Sequence, residues 1–211
     1  PQAPAGPTKL VIRNIGLLLS GDMDKPILDA DTIVAENGKI TAIGRAKDID
    51  TEGATTIVDA NGTVVTPGLI DCHVHVTAVS HDATAMSSQP PSLITAQAKV
   101  ILEDMLARGF TTVRDAAGAD FGLQAALERG LFQGPRLFIA AHPLTQTGGH
   151  ADIRPQGTQE RFCTCAGLGL FGAVADGDAE VRRAVREQVR NGANQIKIMA
   201  GGGVASPTDP I

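Results

Sequence analysis

From residue 69 onward the chain alternates short apolar runs with longer segments of helical periodicity, and each helical segment closes on a glycine. The runs are "GLIDCHVHV", "TTVRDA", "RLFIAA" and "QIKIMA", with helices expected in "SLITAQAKVILEDMLARG", "GLQAALERG" and "DAEVRRAVREQVRNG". Strand, helix, strand in that order predicts parallel βα units, because parallel neighbours need a crossover and a helix usually supplies it. Gly109, Gly130 and Gly192 fit left-handed C-terminal caps, where the chain turns back toward the sheet. Four strands in about 130 residues extrapolate to eight in about 260, close to the ~250 of a (β/α)8 barrel. The expected fold is α/β, with residues 67–211 forming about the first four units of such a barrel. Four parallel strands leave two open sheet edges, so completion by further chain, a complementary chain or a second copy is expected.

Residues 9–66 have a different texture. "KLVIRNIGLLL", "DADTIVAENGKITAIG" and "TTIVDANGTVVTP" are short strand-like runs broken by turn signals. Asn-Gly occurs in both "ENGK" and "ANGT", and Asn-Gly between apolar runs is the strongest local hairpin cue. A small β-sandwich-like domain over residues 1–66 is therefore expected ahead of the barrel portion.

Composition removes several function classes. A net charge of -5, with the 18 Lys and Arg residues scattered, gives no electrostatic footprint for nucleic acid. No apolar run reaches the ~18 residues of a membrane span, and "PQAPAGPTK" lacks the order of a signal peptide. Three cysteines, Cys72, Cys163 and Cys165, cannot all pair within one chain, and Cys-x-Cys is too tight for a structural disulfide. A reducing, cytoplasmic compartment is the expectation. "CTC" lacks the second Cys or His pair of a zinc knuckle, and "GLGLFG" (Gly167, Gly169, Gly172) lacks the βαβ context of a dinucleotide fingerprint.

In a parallel barrel the chemistry gathers at the C-terminal ends of the strands. The first run ends in His73-Val74-His75, and residues i and i+2 of a strand project to one face, so the two imidazoles can address one metal ion. The second ends in Arg114-Asp115, read as support for the site or as a structural ion pair. After the third come His142, read as a turn residue before Pro143, and His150 in "TGGHAD", where glycines let backbone approach a ligand. The fourth carries Lys197, either an edge-strand surface lysine or a group of the same rim, followed by Gly201-Gly202-Gly203. His81 is assigned no role.

A β-rich start, then "VVTPGLIDCHVHV", then a lysine on the fourth strand of a βα series resembles the metal-dependent amidohydrolase superfamily. "TTVRDAAG", "GGHAD" and "IKIMAGGGVASPTDPI" look like the branch of Xaa-Pro dipeptidases and of carboxypeptidases that cut N-acyl amino acids. The first seventy-odd residues are also similar to enamidases, which hydrolyse cyclic amides. The resemblance covers nearly all of residues 9–211. It implies that His73 and His75 bind a divalent ion, Zn²⁺ by default, and that Lys197 is carboxylated to bridge two such ions. It implies hydrolysis of a small amide or dipeptide, releasing a C-terminal amino acid by attack of a metal-bridging hydroxide, with His150 donating to the carbonyl oxygen. The superfamily's further ligands, from strands five, six and eight, are expected beyond residue 211.

Overall fold

The computed structural model describes residues 8–80, 86, 89–154, 157 and 171–202. His81, Cys163, Cys165, Gly167, Gly169 and Gly203 lie outside these residues. The chain divides into two compact units, Pro1–Pro67 and Gly68–Ile211.

The first unit is built from seven strands among its described residues: β1 (Lys9–Arg13), β2 (Leu17–Leu19), β3 (Ile27–Leu28), β4 (Thr32–Glu36), β5 (Lys39–Gly44), β6 (Thr56–Asp59) and β7 (Val64–Val65). They form two sheets, in the orders β5-β4-β1-β6 and β3-β2-β7. Ile15, Leu18, Ala30 and Ile33 are buried together, with Ile12, Leu28, Ala60 and Val65 packed against them. The first Asn-Gly behaves as expected: Asn37 and Gly38 both adopt positive φ, 52° and 78°, and close the antiparallel β4–β5 hairpin.

The second Asn-Gly corrects the hairpin expectation. Asn61 and Gly62 also have positive φ, 49° and 76°, yet β6 and β7 do not pair with each other. Instead β6 runs parallel to β1 and β7 parallel to β2, so two segments of the chain, β1–β2 and β6–β7, pass from one sheet to the other side by side. Asn14, at φ 56°, makes the matching bend, and its carbonyl accepts the Gly62 N–H at 2.7 Å. Gly16 must be glycine here, since a Cβ would lie 2.0 Å from the Gly62 carbonyl oxygen. The local φ preference of Asn-Gly is legible in sequence, but which strand accepts the returning chain is not.

In the second unit β8 (Leu69–Val74), β9 (Phe110–Asp115) and β10 (Arg136–Phe138) form a parallel sheet in the order β10-β9-β8. Helix α1 (Pro91–Ala107) joins β8 to β9, and α2 (Phe121–Glu128) joins β9 to β10. Proline at the first position of α1 costs nothing, because that N–H has no intrahelical partner. The Asp120 side chain caps α2 by accepting the Leu123 N–H at 2.8 Å. Val74, Val76, Val113, Leu137 and Ile139 from the strand segments meet Ala98 and Leu102 of α1 and Leu123 of α2 in one buried cluster. Gly109, Gly130 and Gly192 follow their helices at φ 91°, 64° and 89°, the left-handed caps expected.

The fourth strand expected in "QIKIMA" is the main departure. Among the described residues this segment makes only an isolated parallel bridge, Ile198 to Leu144. Its partner belongs to a two-stranded parallel ladder not anticipated from sequence, β11 (Leu144–Thr145) with β12 (Ala173–Val174). The side chain of Asn194 explains why pairing is broken next to β10. Its Oδ1 accepts the Ile139 N–H at 2.8 Å while its own N–H donates to the Ile139 carbonyl at 2.8 Å, so a side chain replaces one rung of a ladder. Helix α3 (Gly177–Arg190) buries Ala184 with Leu144 and Ala175, and Ile196 packs on that cluster.

Gly68, immediately before β8, is demanded by packing rather than by φ. A Cβ there would lie 2.6 Å from Thr111 Cβ and 2.1 Å from its Oγ1. Gly68→Ala is expected to destabilise the unit by about 1–3 kcal/mol, the usual cost of overpacking. A thermal or urea melt checks it, and an unchanged midpoint would contradict this packing.

Candidate functional site

The strand alternation separates core from site at the end of β8. Val74 and Val76 are 7% and 0% exposed, whereas His73 is exposed and His75 half-buried. The β8–β9 register shifts between Asp71 and Val74, and the Asp71 carboxylate accepts the His73 N–H at 3.0 Å. A bulge of this kind re-aims the side chains that follow it. The two imidazoles end with ring centroids 5.3 Å apart and planes at 74°.

Their second contacts differ. His75 Nδ1 lies 3.2 Å from the Ala117 carbonyl oxygen. A carbonyl can only accept, so Nδ1 carries the hydrogen and the Nε2 lone pair is left for another partner. Burial holds the His75 imidazole below its ordinary pKa, with smaller contributions in the same direction from His73 and Lys197. The Lys197 backbone is fixed independently, since its carbonyl accepts the Leu144 N–H at 2.8 Å.

Arg114 and Asp115 form no ion pair with each other. Arg114 Nε donates to the Cys72 carbonyl at 2.7 Å, tying β9 to β8 beneath His73. Asp115 is fully buried, and its carboxylate accepts backbone N–H groups from Val76 (2.8 Å), Ala117 (3.0 Å) and Ala119 (3.1 Å). Burial pushes its carboxyl up to about 7, while the three donors pull the other way. Gln195 Nε2 donates to the Asp115 carbonyl at 3.0 Å. The sequence places Asp115 at a strand end but does not show that its carboxylate meets backbone amides. Strand alternation puts Gln195 on the face of Lys197 and Met199, but gives no sign that its side chain reaches the Asp115 carbonyl.

His142 and His150 stand on different supports. His142 has Nδ1 2.9 Å from the Phe171 carbonyl oxygen and donates its backbone N–H to Gln188 Oε1 at 3.1 Å, which suits the turn role expected. His150 is half-buried in the turn after β11, where Gly149 N–H donates to Gln146 O and Asp152 N–H to Gly149 O. The Asp152 carboxylate, 5% exposed, accepts from Gly148 N–H at 2.9 Å and from Arg154 Nε at 2.6 Å, bracing that turn. Arg154 is the main reason the Asp152 carboxyl is held below its usual range.

The imidazoles of His73 and His75 are a donor pair whose chemistry suits a divalent ion. Two imidazoles at one strand end, one pinned at Nδ1 by a carbonyl, is the common second-shell arrangement of metal-ligating histidine. Among the described residues no group of three or more His, Cys, Asp and Glu side chains is placed to hold a metal. Any third ligand among these must be of another kind, and Lys197 qualifies only if its cationic head becomes an anion.

Among the described residues no helix is long and apolar enough to cross a membrane. The family model described as "Amidohydrolase family" matches residues 64–210. The ochratoxinase of Aspergillus niger is 34% identical over 95% of this chain and 44% of its own length, so the chain spans less than half of that relative. The enamidase of Eubacterium barkeri is 54% identical over 69 residues, 33% of this chain and 18% of that protein. Among solved structures, a prolidase complexed with N-methylphosphonate-L-proline superposes with a TM-score of 0.87 at 44% identity, covering 97% of this chain and 49% of that one. The parallel βα order, the paired histidines at the end of β8 and these likenesses agree, and the chain belongs to the amidohydrolase family.

Proposed function

We propose that the protein is a metal-dependent hydrolase of amide or peptide bonds that releases a C-terminal amino acid from a dipeptide or an N-acyl amino acid. The observation that carries this is the histidine pair at the end of β8, with His75 Nδ1 bonded to the Ala117 carbonyl. The substrate class draws support from the prolidase relative, whose ligand is built on L-proline. In this reading residues 1–66 are a small β-sandwich-like domain and residues 67–211 the first four units of a (β/α)8 barrel. The partner is either the rest of the barrel or further copies of the chain, and the compartment is the cytoplasm.

His73 and His75 would hold the first ion through neutral ring nitrogens. Lys197, carboxylated at Nζ, would add an anionic ligand to the centre. Bound there, Zn²⁺ supplies Lewis acidity, lowering the pKa of water and polarising the scissile carbonyl. The chain's own groups do the rest. Val74 and Val76 anchor the strand end in the core, so the imidazoles meet their partner already oriented. His150, on its braced turn, donates to the carbonyl oxygen as negative charge develops there. Asp152 and Arg154 keep that turn in place without touching the substrate.

The test is the intact protein, loaded with Zn²⁺, against Xaa-Pro dipeptides, N-acyl amino acids and cyclic amides. Turnover of the first two at an ordinary enzymatic rate, about 1–10³ per second, and its loss on chelation are expected. Preference for cyclic amides would replace this reading with an enamidase-like one, and activity indifferent to chelation would remove the metal from it.

A further inference from the structure

Asp115 is a fully enclosed titratable group that the proposed chemistry does not use. It is the last residue of β9, 0% exposed, and every atom facing its carboxylate in the bonds described is a backbone N–H. Two of those three donors belong to the surroundings of His75. The Val76 N–H, held at 2.8 Å, is in the peptide immediately following His75. Ala117, held through its N–H at 3.0 Å, is the residue whose carbonyl faces His75 Nδ1 at 3.2 Å. One carboxylate thus fixes both the backbone that carries the imidazole and the oxygen that decides which ring nitrogen bears the hydrogen.

The turn that makes the second contact has few other supports. Ala116 N–H donates to Val74 O at 2.8 Å and Gly118 N–H to Ala141 O at 3.0 Å, so residues 116–119 bridge the ends of β8 and of the segment after β10. Gly118 sits at φ 109°, a conformation costly for other residues, and Ala119 N–H returns to Asp115 Oδ1 at 3.1 Å. Remove the carboxylate and the Ala117 carbonyl loses the bond that aims it, while three buried N–H groups lose their acceptor.

We propose that Asp115 is the positioning residue of the metal centre: by binding Val76 and Ala117 it holds His75 as the Nδ1–H tautomer, with the Nε2 lone pair directed to the metal. Asp115 touches neither metal nor substrate. The assignment rests on the reading of His75 as a ligand, but the tautomer can be read without metal.

The experiment uses the intact protein with ¹⁵N-labelled histidine. In the metal-free wild type, His75 is expected as Nδ1–H, and the Val76 and Ala117 amides are expected to be protected from exchange. Asp115→Asn keeps volume but turns an NH₂ toward an N–H; Asp115→Ser keeps a single shorter acceptor. In whichever variant melts cooperatively, His75 should populate both tautomers and Zn²⁺ affinity should fall about 10–100-fold, the size expected for losing an outer-shell partner. His73, which has no bond to this network, serves as the internal control. A folded variant with the wild-type tautomer and affinity overturns the proposal. Should neither variant fold, the wild type decides: Nε2–H on His75, or fast exchange at Val76 and Ala117, overturns it, and the opposite pair of results supports it. If His75→Ala keeps its zinc, the metal reading fails while the tautomer result stands on its own.

Discussion

Replacing His73 and His75 together by alanine in the intact protein is expected to remove bound zinc and to lower kcat/KM by at least about 10³-fold, since metal polarisation supplies several kcal/mol and each decade is about 1.4 kcal/mol. The fold should survive, because the core side of this strand end is made by Val74 and Val76, while His73 is exposed and His75 half-buried. The double variant loses two imidazole rings and no core methyl, so cooperative melting with metal loss is the signature. Metal content by atomic emission, measured beside turnover and a thermal melt, separates the outcomes. Retention of full zinc and full activity in the double variant would falsify the ligand assignment, and loss of folding without prior loss of metal would make the pair structural.

That pair was legible in the sequence because strand geometry has period two, and two histidines at i and i+2 must share a face wherever the strand lies. The helices were legible too: their bounds, Pro91–Ala107, Phe121–Glu128 and Gly177–Arg190, follow the apolar periodicity and stop just before the glycines that cap them. Two-residue strands carry no period, so Leu144–Thr145 and Ala173–Val174 could not be seen. The segment around Lys197 has a strand's alternation, yet Asn194 and Gln195 spend their side chains on Ile139 and Asp115, and only Ile198 is bridged in ladder fashion. A polar side chain that substitutes for a backbone rung looks, in sequence, like any loop amide. The same holds for Asp115, whose enclosure by three amides depends on where two other turns come to rest. What sequence misses is not the type of local structure but which distant backbone each polar group meets.

Lys197→Ala should be nearly as damaging as the histidine replacement, and its rescue tells what the side chain does. The backbone at this position is tied by the Leu144 N–H to the Lys197 carbonyl and by the Met199 N–H to the Leu144 carbonyl, so truncating the side chain leaves the segment in place. A cationic Lys197 in the same site would disfavour a metal ion there. Carboxylation would resolve the conflict: the neutral amine adds to CO₂ and gives up a proton, forming an N–CO₂⁻ group whose oxygens could serve as metal ligands. If that is its state, Lys197→Ala should lose about 10³-fold in kcat/KM and part of the bound metal, as expected when an interaction worth several kcal/mol is removed. Added formate or acetate should then restore a measurable fraction of both, because a free carboxylate can enter the space left by the carbamate and supply the same two oxygens. Lys197→Arg, permanently cationic and unable to form a carbamate under these conditions, should bind less metal than the alanine variant and should not respond to carboxylates. ¹³CO₂ labelling of the wild-type protein should show a carbamate carbon that disappears in either variant. A fully active protein without that carbon, or an alanine variant indifferent to carboxylates at every concentration tried, would leave Lys197 as a half-buried lysine and move the anionic-ligand role elsewhere.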